Sequence, residues 1–203
     1  MRLNRLVLAA LAAVPVATMV LAQEHGQAHA PVSGQAPYAG QDARVIKSLS
    51  ASDIEQIRAG AGWGLALPAE LNGLPGPAHL LELQREIGLE PAQVAEIERI
   101  HAQMQQQAIA AGERFIAAEA ALDAGFTGGG LTPTELRRLV AEAAEARAAL
   151  RFVHLSRHLD TPALLTAAQI ERYKVLRGYA ADPCATVPDG HDPEMWRTQN
   201  HCG

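Results

Sequence analysis

The sequence predicts an all-α protein: a long antiparallel helical hairpin with short flanking helices, curved and open to homodimerisation. Three observations carry that prediction. A cap-and-staple pattern recurs four times, and two long stretches place an apolar residue every three or four positions. No stretch alternates convincingly with period two, so no sheet is expected.

The elements follow in chain order. Arg2 and Arg5 precede an apolar run from Leu6 to Leu21, and Val20-Leu21-Ala22 closes it with small residues. This reads as a secretory signal peptide over residues 1–22, cleaved after Ala22. The competing reading is an uncleaved anchor. The run is close to the lower limit of roughly 17 residues for a membrane-spanning helix, and polar Gln23-Glu24-His25 follows. After cleavage the protein is expected to be exported, soluble and not transmembrane. Residues 23–43 are rich in Gly, Ala, Pro and Gln without periodicity, which predicts a flexible arm.

Helix starts are announced by Leu49-Ser50-Ala51-Ser52-Asp53-Ile54, Leu89-Glu90-Pro91-Ala92-Gln93-Val94, Leu131-Thr132-Pro133-Thr134-Glu135-Leu136 and Leu165-Thr166-Ala167-Ala168-Gln169-Ile170. Each has a cap candidate, an acid or amide three residues on, and flanking apolar residues. That is a capping box with a hydrophobic staple. It predicts helices beginning near 51, 91, 133 and 167, with a shorter one over 77–87. Along 91–124, Val94, Ile97, His101, Met104, Ala108, Ala111, Phe115, Ala118 and Leu122 form a heptad seam. Along 133–159 the seam is Leu136, Leu139, Val140, Ala143, Ala146, Leu150 and Val153. The glycine-rich stretch 125–130 between them is short, which makes the two helices antiparallel neighbours. Aromatics are 4% of the chain and the seams use many alanines, so the core is thin. The helical domain is expected over 44–180.

The tail, 181–203, holds both cysteines, Cys184 and Cys202. In an exported protein they are expected to form a disulfide. The alternative is a metal site of Cys184, His191, His201 and Cys202, whose spacing matches no zinc motif.

Composition excludes some partners. The whole chain carries 17 Lys+Arg against 22 Asp+Glu. An acidic chain is a poor partner for a phosphate backbone, so no nucleic acid is expected. There is no Gly-x-Ser-x-Gly, phosphate loop, dinucleotide fingerprint or HExxH, so an enzyme is not expected and no cofactor is required.

Leu165-Thr166-Ala167-Ala168-Gln169 is an intact LTxxQ motif, and Leu89-Glu90-Pro91-Ala92-Gln93 is a copy with Glu for Thr. Alone, LTxxQ is also a generic capping box. Paired at both ends of one hairpin behind a signal peptide, it resembles the Spy/CpxP group of periplasmic proteins and the related periplasmic heavy-metal sensors. The resemblance covers roughly residues 78–180. It implies a periplasmic, ATP-independent chaperone or envelope-stress protein with unfolded or envelope clients. It implies as an alternative a heavy-metal binder or sensor. The acidic mature chain departs from the basic cradle of the family's chaperones. The 60–77 stretch and the two-cysteine tail lie outside the family pattern.

Two constellations remain. His154 and His158, four apart, share a helix face. If residue 124 faces 132, His101 lies across from 155 and Glu98 across from 158. Glu98, His101, His154 and His158 would then form a nitrogen and oxygen donor set for Zn, Cu, Ni or Co. The alternative is packed imidazoles bonded to carbonyls. The apolar stretch with Trp63, Leu65, Leu67, Leu71 and Leu74 either covers the hairpin or is a lip for clients.

Overall fold

The computed structural model describes residues 37–200 and 202. The expected leader, the arm up to residue 36 and His201 lie outside the described residues. The compact unit begins at Gly40. Its helices are α1 (Ala51–Arg58), α2 (Leu67–Glu70), α3 (Pro77–Glu82), α4 (Gln84–Ile87), α5 (Pro91–Thr127), α6 (Pro133–Asp160), α7 (Ala167–Leu176) and α8 (Pro193–Gln199). No strand occurs among the described residues; an isolated bridge joins Ile46 and Leu49.

The four expected helix starts are where the sequence puts them, at Ala51, Pro91, Pro133 and Ala167. Ser50 and Thr166 complete their capping boxes. Thr166 Oγ1 accepts from the Gln169 N–H at 3.2 Å, and Gln169 Oε1 accepts from the Thr166 N–H at 3.0 Å. Thr132 accepts from the Glu135 N–H at 3.2 Å, but the Glu135 carboxylate pairs with Arg138 instead of reaching back. At the weak cap, Gln93 Oε1 accepts from the Glu90 N–H at 2.8 Å.

Those two glutamines also join the motifs to each other. Gln93 and Gln169 exchange amide hydrogen bonds, 2.9 Å in each direction. Each then spends its remaining N–H on the carbonyl five residues before the other: Gln93 on Leu164 at 2.7 Å, Gln169 on Gly88 at 3.1 Å. The pair is locally two-fold in pattern and ties the start of α7 to the start of α5.

The helix expected over 77–87 is broken at Leu83, where φ −104° and ψ 17° leave the helical region, and it ends at Gly88 in the left-handed conformation. Residues 60–77, the apolar stretch read as a cover or a client lip, contain α2. Leu65 and Ala69 of that stretch are buried, while Leu67 and Leu71 are exposed. So the stretch covers the hairpin and keeps an apolar outer edge. Val140, assigned to the seam, is exposed. The inward face of α6 runs instead through Leu139, Ala143 and Leu150 to His154 and His158.

The interior is two cores. One gathers Ile57 of α1, Leu65, Ala108, Ala111 and Phe115 of α5, and Leu150 of α6. Gly112 permits it: a Cβ there would lie 2.6 Å from Ile57 Cγ2, so α1 can sit this close only on glycine. The other gathers Leu80, Ile87, Ile97 and Tyr173. Met104 and the two histidines of α6 fall between the cores along both arms of the hairpin. In the tail, Cys184 and Cys202 are bonded, with Cα atoms 5.5 Å apart.

Candidate functional site

The level between the two cores is polar and partly hollow. A cavity of about 340 Å³ is lined by Trp63, Leu67, Pro77, Met104, His154, His158, His79, Glu70, Arg177 and Tyr179, among others. That volume is within the range of small-molecule sites.

Glu70, the last residue of α2, is buried beside it. A buried carboxylate needs partners, and this one takes them from α7 and the segment after it. Its Oε2 accepts from Tyr173 Oη at 2.8 Å and from Tyr179 Oη at 3.1 Å, with Arg177 Nη2 at 3.7 Å. Burial, then the hydrogen bond to Glu70, pushes the Tyr173 phenol far above its ordinary range, so it stays a donor. Glu70 Oε1 accepts no hydrogen bond from the described residues. It faces His79 Nε2 at 3.7 Å and His158 Nε2 at 4.0 Å.

The imidazoles have assignable roles. His158 Nδ1 lies 2.8 Å from the Leu74 carbonyl, which can only accept. Nδ1 therefore carries the proton, and in the neutral ring Nε2 is an acceptor. Gly76 makes room for this ring: a Cβ there would meet His158 Cε1 at 2.5 Å. His79 is set the same way, with Nδ1 2.8 Å from Glu82 Oε2 and Nε2 3.3 Å from the Arg177 guanidinium, which can only donate. His154 is 3% exposed, and its Nε2 is buried without a partner. Burial, then the neighbouring His158, holds its pKa below the ordinary value, which favours the neutral ring.

Trp63 forms one wall at a cost. It is the non-glycine residue with positive φ, 43°, among the described residues. Its Nε1 donates to Asp53 Oδ1 at 2.8 Å, its ring lies 5.8 Å from Phe115, and Arg147 sits 5.3 Å over its face. Asp53 is held below its ordinary pKa by the Ser50 side chain and then by Trp63, so the α1 cap and the cavity wall share one carboxylate.

The sequence-derived donor set is only half assembled. His154 and His158 come together as their spacing requires. Glu98 is exposed and His101 half-buried, and neither lines the cavity. The register explains this. Gln107 of α5 faces Arg157 of α6 at 2.7 Å, and Gly125 faces Leu139. By that register His101 is level with residue 163, beyond the end of α6, and not with residue 155. Nine residue levels separate it from His154, roughly 13 Å of helix axis. No group of three or more His, Cys, Asp or Glu among the described residues is arranged to hold an ion.

Glu70, Tyr173 and Tyr179 were not singled out from the sequence. One signal was present: Glu70 is the lone ionisable residue in the apolar stretch 59–78. No protein-family model, curated protein or solved structure matches this chain.

Proposed function

We propose that the chain is an exported, ATP-independent chaperone of the LTxxQ hairpin type that holds unfolded envelope clients on an outward face of α6. The observation behind this reading is a second apolar seam on that helix. Ala141, Ala144, Ala148, Phe152, Leu155 and Leu159 follow one another at steps of three and four. Phe152 is 70% exposed and Leu159 73%, one heptad apart. Large apolar side chains aligned on a free helix face are what an amphipathic or extended client segment docks against. The same seam has large residues toward the base and alanines toward the tip, which suits an antiparallel homodimer as well.

The test is aggregation of a chemically denatured client, followed by light scattering without nucleotide. The purified protein should slow aggregation, and a Phe152→Ser, Leu159→Ser double variant should lose most of that effect at unchanged melting temperature. No protection at several-fold molar excess, or full protection by the variant, would refute the reading.

The metal-binding alternative retains two donors, His154 and His158, with His101 and Glu98 set apart from them. Titration with Zn, Cu, Ni or Co ions against a His158→Ala control decides it.

A further inference from the structure

We propose that the cavity between the two cores binds a small organic cation: a primary ammonium carried on an apolar body. The wall around Glu70 holds acceptors that no donor of the described residues reaches. Among the described residues Glu70 Oε1 is without a hydrogen bond, the neutral His158 ring presents Nε2 as an acceptor because Nδ1 donates to the Leu74 carbonyl, and His154 Nε2, in the same lining, is buried without a partner. The phenol donors at the site are already committed, and Arg177 Nε is a buried donor without a partner among the described residues. Tyr173 and Tyr179 serve the other oxygen, Oε2, and Arg177 lies beside that oxygen and His79. A primary ammonium has three N–H donors and no acceptor, which matches the unused acceptors of this wall.

Spacing separates an ammonium from a metal ion. Glu70 Oε1 and His158 Nε2 are 4.0 Å apart. An ion ~2.0–2.2 Å from both would have to sit nearly on the line between them. An N–H donor group ~2.9 Å from each sits well off that line, toward the cavity. The rest of the lining fits an apolar body, since Trp63, Leu67, Pro77 and Met104 face the same space. Arg177, 29% exposed, lies 3.7 Å from Oε2, and the incoming charge meets Oε1 and the His158 acceptor on the other side.

The test is calorimetry of the purified protein with n-hexylammonium chloride, with hexan-1-ol, hexanoate and zinc chloride as separate arms. Hexylammonium should bind at least ~10-fold more tightly than the alcohol, and hexanoate should not bind. Ring-nitrogen NMR of the unsubstituted protein should show the Nε2 resonances of His154 and His158 shifting with hexylammonium. Glu70→Gln should lose at least ~10-fold in affinity. Because Glu70 is buried, His154→Phe serves as a second variant, checked for helicity by circular dichroism, and should also lose binding. Equal binding of alcohol and ammonium, zinc binding without ammonium binding, ammonium binding undiminished in a folded variant, or no binding in any arm would each overturn the proposal.

Discussion

At the scale of single residues, the molecule places its titratable groups where their protonation matters. His154 is the clearest. Its pKa in the folded protein lies below the ordinary 6.5, because burial and then His158 disfavour the charged ring. The unfolded chain therefore takes up this proton first as pH falls. The stability tied to His154 is intact above about pH 6.5 and is drawn down as pH drops below it. The expected outcome is that the thermal midpoint falls faster between about pH 6.5 and 5 for the wild-type chain than for His154→Leu. Parallel curves would remove this role. The His154–His158 pair was legible, since i,i+4 spacing on a helix leaves two rings little choice of direction. Glu70 with Tyr173 and Tyr179 was not. A residue on a one-turn helix meets two that follow it by about a hundred positions, and no periodicity links them.

At the scale of elements, the caps were the most legible feature, because a capping box is local chemistry complete within four residues. What the motifs do together is tertiary and was not visible. Gln93 and Gln169 each satisfy their own helix start and then each other. A double-mutant cycle with Gln93→Ala and Gln169→Ala should therefore give a coupling energy of about 1–2 kcal/mol in denaturant unfolding. Additive losses would show that the amides act only as separate caps. The level of the hairpin was misread for a physical reason. Glycines mark a turn but do not say where the first arm ends. Here α5 runs on to Thr127, and the facing residues shift by about eight positions along α6.

At the scale of the whole molecule, the described fold is a hairpin braced by short helices, with a cystine-closed tail. The tail's helix α8 has no buried residue, whereas the cores draw on α1 and α3 to α7. The Cys184–Cys202 bond is worth about 3 kcal/mol to the segment it closes in the chain-entropy model, and little of that reaches the cores. Reduction should accordingly leave the main thermal transition within a few degrees of its oxidised value while exposing the tail to protease. A large fall in the main transition would mean that the tail braces the hairpin.

The hairpin is fastened unevenly. At its base the two glutamines tie the start of α5 to the start of α7, the helix that follows the second arm. Toward its tip, no side chain of α5 beyond Ile116 and none of α6 before Leu139 is buried, and the closing turn carries Gly129 and Gly130 in left-handed backbone. Local opening that begins at the tip breaks few apolar contacts, and opening that begins at the base must break a closed ring of amide bonds. Thermal excursions of the hairpin therefore resemble tweezers with a fixed joint. The far ends part and rejoin, while the cavity, near the joint, keeps its walls.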